Sequence, residues 1–232
     1  MYNRPHKFLP FLCMLYITIM LVVAVLSEKI IIIAGHITMA GTLFIPFWFI
    51  LSDIITEIYG YKISRQIIWL TFLCHLIFSV ACEIALLAPH PAFWQGQKNY
   101  EFVLGHLLRI TLSAFIAYIA SGMLNIYLIA KWKILVKGKY FWLRSFGAST
   151  IGELLYTVLA VIMIQFHILT FNQMFQIILT SYSIKVICSL LSAFPANFIV
   201  ILLKHYEIIP DQEKVKSPFQ SQKMFKEKTS NL

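Results

Sequence analysis

Acidic side chains are scarce in this sequence, with ten Asp and Glu among 232 residues. Charged residues of both signs amount to 12%, about half the usual share of a soluble domain. A solvated globular surface cannot be built from so few charges, and this excludes an ordinary soluble enzyme or binding module. Nucleotide hydrolysis is also unsupported, because no Gly-rich phosphate loop is present. The four cysteines, Cys13, Cys74, Cys82 and Cys188, form no C-x-x-C pair and lie inside apolar runs. They read as small core residues rather than metal ligands or a disulfide framework. His36, His75, His90, His106 and His167 are scattered, with neither an H-E-x-x-H motif nor a histidine box, and "GAST" lacks the context of a serine-hydrolase elbow. We therefore expect neither an enzyme nor a resident metal or cofactor.

What the sequence has instead is long hydrophobic runs, at 59% hydrophobic residues overall. Six of them, at about 8 to 27, 43 to 60, 66 to 88, 104 to 130, 145 to 167 and 174 to 203, can each cross about 30 Å of hydrocarbon as a helix. The expected fold is all-α: a polytopic bundle of six transmembrane helices. The first run has a basic start but is too long for a signal-peptide core and lacks a small-residue cleavage site, so it reads as a retained span. It can extend through "EKIIIIAG" to Ala34, and Pro46 and Pro195 are placed to start or kink their helices.

The formal charge of +9 is explained by topology. Arg4, Lys7, Lys62, Arg65, Lys131, Lys133, Lys137, Lys139, Arg144 and the lysines from Lys204 onward fall on one side of the six spans, leaving Lys29 and Lys98 in the opposite loops. The positive-inside rule then places both termini in the cytoplasm. Residues 1–204 form the membrane domain, and 205–232 a basic cytoplasmic tail suited to disorder or to anionic headgroups, with no nucleic-acid role.

The informative residues are charges predicted within the spans. An ionised group near the bilayer centre costs about 2.5 to 3.5 kcal/mol, so it faces a bundle interior or a wet cavity. The stretch "FIPFWFILSDIITEIYGYK" carries Asp53 and Glu57 one turn apart beside a small-residue ridge of Ser52, Thr56 and Gly60. Asp53 is deep. Glu57 lies near the cytoplasmic end, where water or Lys62 suffices. Polar residues recur every fourth position elsewhere: Thr71, His75, Ser79 and Glu83; Arg109, Ser113, Ser121 and Asn125; Ser149, Glu153 and Thr157; Ser181, Lys185 and Ser189. Depth pairs Glu83 with Arg109 near the outer surface and brings Glu153 and Lys185 together near the midplane. Two roles stay open for these groups, joining helices or lining a solute site. Asp53, Glu153 and Lys185, at mid-depth with Trp48 and Tyr156 nearby, favour the second.

At these residues the sequence resembles a known family. "FIPFWFILSDIITEIYGYKISRQIIW" is similar to the P-[FIL]-x-[FY]-x-x-x-D-x-x-x-E-x-[FY]-G segment of the queuosine precursor transporters. "RITLSAFIAYIASGMLN" resembles that family's fourth span, and "WLRSFGASTIGELLYTVLAVIMIQF" with "YSIKVICSLLSAFPANFIVILLK" its last two, so the resemblance covers about residues 40 to 204. It implies a bacterial inner-membrane importer of 7-cyano-7-deazaguanine or 7-aminomethyl-7-deazaguanine for salvage into tRNA queuosine. Asp53, Glu57, Arg109, Arg144, Glu153 and Lys185 match recurrent polar positions of the family. Where the family reads G-E-x-x-D-[ST], this chain reads "GELLYT", with Tyr156 at the Asp position.

For such a base, the adjacent N–H donors suit Glu153 or Asp53, the carbonyl suits Lys185, and Tyr156 or Trp48 offers a stacking face. Arg109 joins the candidate site by position. The implied partners are a deazapurine solute and the lipid bilayer, with a homo-oligomer compatible with both. The alternative is a membrane substrate-binding subunit, or a transporter for another vitamin or nucleobase-like solute; only the subunit reading needs an external ATPase module.

Overall fold

The computed structural model describes residues 7–27, 29–33, 35–165 and 170–206. Its elements run α1 (Leu9–Leu26), β1 (Ile30–Ile33), β2 (His36–Met39), a 3-10 turn (Ala40–Leu43), α2 (Ile45–Tyr59), α3 (Tyr61–Leu87), α4 (Gln97–Leu104), α5 (Leu107–Leu135), α6 (Phe141–Gln165) and α7 (Phe171–Tyr206). Among the described residues six helices are long and apolar enough to span a membrane: α1, α2 with its 3-10 turn, α3, α5, α6 and α7. The expected six-helix bundle is the observed one. The expected tail at 205–232 falls, beyond Tyr206, outside the described residues.

α2 is the axis of the bundle. It packs against α1, α3, α5, α6 and α7. Its span is 83% buried, against 11% for α3 and 28% for α7. α2 is buried on nearly every side from Ile45 through Ile58, Phe47 excepted, so that its polar Ser52, Asp53, Thr56 and Glu57 are enclosed with its apolar residues. The surrounding helices turn Ile77, Leu87, Phe198 and Ile201 outward, where lipid rather than water meets them. Both acids of the "SDIITEIYG" stretch therefore point into the bundle because their whole helix is enclosed.

Three backbone features set this packing. Gly60 alone joins α2 to α3, at φ +84, a left-handed conformation that a Cβ disfavours. Thr56 Oγ1 donates to Ser64 Oγ across that turn at 2.9 Å, so the small-residue ridge braces the α2–α3 corner. Gly152 lets α6 approach α2 and α5: a Cβ there would lie 2.7 Å from Phe49 and 3.2 Å from the Asn125 Cβ. Pro46 sits in the first turn of α2, and α7 runs on through Pro195.

The "EKIIIIAG" segment departs from expectation. The first span ends at Leu26, and the isoleucines form an antiparallel hairpin with His36–Met39, Ile33 pairing His36. β-Branched residues favour a strand once a helix has ended, and Gly35 at φ +81 supplies the tight turn. The hairpin packs on α7. Thr38 bonds Thr42 at 3.2 Å and lies 3.4 Å from the Ser181 hydroxyl.

Candidate functional site

Buried polar groups occur in successive layers along α6, each bringing α6 together with another helix. The first is built on Glu57. Arg144 Nη1 donates to its Oε2 at 3.0 Å and Lys204 Nζ to its Oε1 at 2.6 Å. Lys133 Nζ lies 3.7 Å from Oε1 and donates to the Glu57 backbone carbonyl at 2.6 Å. That carbonyl is one of the last of α2, which would otherwise lack a partner, and a cation at a helix C-terminus is favourable. Glu57 is fully buried, so the expected exposure to water or pairing with Lys62 is replaced by three other cations, while Lys62 is exposed.

The second layer centres on Asp53. Asn125 Nδ2 donates to Oδ1 at 2.6 Å, and the hydroxyls of Ser145 and Ser149 both donate to Oδ2, Ser149 at 2.9 Å. All four residues are buried. Three donors satisfy the carboxylate within the protein, and Asp53 lines none of the three cavities described below. Its observed work is to hold α2, α5 and α6 together.

The third layer is different. Ser189 Oγ of α7 donates to Glu153 Oε1 of α6 at 2.7 Å, but the buried Glu153 Oε2 has no hydrogen-bond partner. One turn further along both helices, Lys185 Nζ donates to Thr157 Oγ1 at 2.8 Å and sits 5.2 Å over the Tyr156 ring. The expected Glu153–Lys185 ion pair is thus not a direct one: no carboxylate lies within 4 Å of the Lys185 ammonium among the described residues. Each charge contacts the hydroxyl of the facing helix instead, so the two are offset by about one helical turn, ~5.4 Å. Acid and base both remain buried with hydrogen-bonding capacity in hand, which is costly unless something else uses it.

Beside this layer lie two small cavities. One, of about 80 Å³, is lined by Lys185, Thr157, Tyr156, Ser181, Thr42, Ser27 and apolar neighbours that include Met39, Ile45 and Ile110. The other, of about 40 Å³, is lined by His75, Thr111, Tyr118, Phe72 and others, and shares Ser27, Ile110 and Tyr156 with the first. Tyr156 stands between them. His75 Nε2 lies 3.2 Å from Thr111 Oγ1, itself 2.7 Å from Ser79 Oγ. A larger apolar hollow of about 520 Å³, between the end of α3 and α4, is remote from every layer.

The structure therefore sorts the predicted site residues. Lys185 and Tyr156 line the first cavity and Glu153 lies one turn from its wall at Thr157. Trp48 lies behind Tyr156, with ring centroids 6.1 Å apart, and stacks on Tyr118 at 5.1 Å. Trp48 is a support for the cavity wall and not part of it. Arg109 is exposed, in the first turn of α5, and forms no ion pair with Glu83. The expected pair is absent: Arg109 is exposed at the start of its helix and needs no buried counter-ion. The reading from sequence passed over Ser27 and Thr42 as lining residues, since neither falls in a four-residue polar period. Arg144 was legible as a topology charge and as a polar position of the resembled family, but not as the partner of Glu57.

Comparison with known proteins adds a family. Residues 39–200 match the family described as "Putative vitamin uptake transporter". The chain is also similar to the "Probable queuosine precursor transporter" of Bacillus subtilis (strain 168), 27% identical over 155 residues that make up 66% of each chain. The match thus spans just under two thirds of that relative's length. No solved structure matches. The matched family segment contains all three acids of the layers, while α1 and β1 lie outside it.

Proposed function

Since the chain belongs to the vitamin uptake transporter family, we propose that it imports queuosine precursors, 7-deazaguanine bases, across a bacterial inner membrane. The observation that carries this reading is the offset pair on α6 and α7: the free Glu153 oxygen and, one turn away, the Lys185 ammonium at the cavity wall. A guanine-like edge presents two adjacent N–H donors and then a carbonyl acceptor. A carboxylate accepts the donors in bidentate fashion, and an ammonium bonds the carbonyl. Tyr156, already under the Lys185 charge, supplies a flat face for the ring. The name of the Bacillus subtilis relative points to the same class of solute.

Ligand pockets usually hold about 300 Å³ or more, so the two small cavities correspond to a contracted site. Admitting a bicyclic base requires Tyr156 to move and the cavities to join. The basic end, with Lys133, Arg144 and Lys204 on Glu57, faces the cytoplasm by the positive-inside rule. In this arrangement the Glu57 cluster ties α2, α5, α6 and α7 at the inner end, and the cavities lie nearer the hairpin end. Alternating exposure would loosen the cluster as the outer end closes. The chain acts as a transporter, not an enzyme, and residues 1–204 suffice for the path.

Uptake of radiolabelled 7-cyano-7-deazaguanine by cells unable to make it, carrying this chain or its Glu153→Ala variant at equal membrane abundance, tests the proposal. Uptake should require the chain and fall to background in the variant. Uptake by the variant at the level of the unmodified chain would overturn the assignment.

A further inference from the structure

We propose that this transporter selects its bases by the charge of the group on carbon 7, accepting neutral substituents and rejecting the cationic aminomethyl one, with Lys185 as the residue that discriminates. The inference rests on the base-import reading above and takes it one step further.

In a 7-deazaguanine the ring carbonyl and the carbon-7 substituent project from the same side of the bicycle. Whatever bonds the carbonyl therefore also meets the substituent. Lys185 is 3% exposed, and its ammonium is held in place by Thr157 and by the Tyr156 ring. It cannot withdraw to solvent. The cavity it lines contains no Asp or Glu, and its other polar groups are hydroxyls, Ser27, Thr42 and Ser181 among them. Two ammonium groups a few ångströms apart in such surroundings repel strongly. A cyano nitrogen, by contrast, is an acceptor that the same ammonium can serve.

The inverted pose, with an aminomethyl cation on Glu153, does not escape the conflict. It would turn the base's own N–H donors toward Lys185, which has only donors to offer, and leave them unpaired. The carboxylates that might compensate are engaged elsewhere: Asp53 by three donors, and Glu57 by three cations.

Competition against uptake of radiolabelled 7-cyano-7-deazaguanine tests this, using the 7-aminomethyl base and its neutral near-isostere, the 7-hydroxymethyl base. The hydroxymethyl and unlabelled cyano bases should compete at similar concentrations, with the aminomethyl base weaker by about tenfold or more. Lys185→Gln, which retains a donor for Thr157, should narrow that gap even if overall uptake falls. An aminomethyl base that competes as well as the hydroxymethyl one overturns the charge rule while leaving base import standing. Failure of the unmodified chain to take up the cyano base removes the import reading and this inference together.

Discussion

Lys204 Nζ and Glu57 Oε1 are 2.6 Å apart although 147 positions separate them in sequence. With Lys133 and Arg144 on the same acid, the contact makes Glu57 the counter-ion of three cations drawn from α5, α6 and α7. Replacing Glu57 by Gln leaves those cations facing one another. Loss of one partner from a buried pair costs about 3 to 5 kcal/mol. Lys204, at 38% exposure, is screened, and its pair contributes about 0 to 1 kcal/mol. Thermal unfolding of the purified protein in detergent should therefore show a large drop in Tm for Glu57→Gln and little change for Lys204→Met.

Asp53 should behave as a structural acid. Asp53→Ala strands the donors of Asn125, Ser145 and Ser149, at about 1 to 3 kcal/mol for each buried group. Asp53→Asn keeps an acceptor and should be milder. Whatever Asp53→Asn protein reaches the membrane should take up base with an unchanged KM, as measured from initial uptake rates at fixed abundance. A raised KM at normal stability would place Asp53 at the solute instead.

Gly152→Ala tests the close approach of α6 to α2. The added methyl would lie 2.7 Å from Phe49. Overpacking of this kind costs about 1 to 3 kcal/mol. The expected result is a lower unfolding temperature, partly restored by a second change, Phe49→Leu.

Tyr156 divides the two cavities, and this can be read in transport kinetics. Tyr156→Phe retains the ring and should transport with little change. Tyr156→Ala joins the cavities but loses a stacking face worth about 0.5 to 1.5 kcal/mol, which corresponds to a KM raised about two- to tenfold. Equal effects of the two substitutions would argue against stacking.

Much of this arrangement was legible in the sequence. Run lengths gave the six spans, and distance from the span ends brought Glu153 and Lys185 to neighbouring depths on α6 and α7, one turn short of a direct pair. Depth also separated Asp53 from Glu57. The partners were harder to read, because Asn125, Arg144 and Lys204 lie 72, 87 and 147 positions from the acids they bind. No local periodicity encodes such contacts. The hairpin was hidden because four isoleucines suit a lipid-facing helix and a strand alike, and the tight turn at Gly35 carries the difference. Arg109 was read as an intramembrane charge because the apolar run reaches back to residue 104, whereas its side chain lies exposed in the first turn of α5. Hydropathy alone does not show which face of a helix its neighbours cover.

The central claim is that Glu153, with its unpartnered oxygen, receives the donors of the base. Equilibrium binding of radiolabelled 7-cyano-7-deazaguanine to the purified protein in nanodiscs, comparing the unmodified chain with Glu153→Ala and Asp53→Asn, measures it directly. Charged hydrogen bonds contribute about 1.5 to 3 kcal/mol each, so loss of two should weaken binding about a hundredfold or more. The account predicts that loss in Glu153→Ala and near-normal affinity in Asp53→Asn. A folded Glu153→Ala protein that binds the base as tightly as the unmodified chain would contradict it.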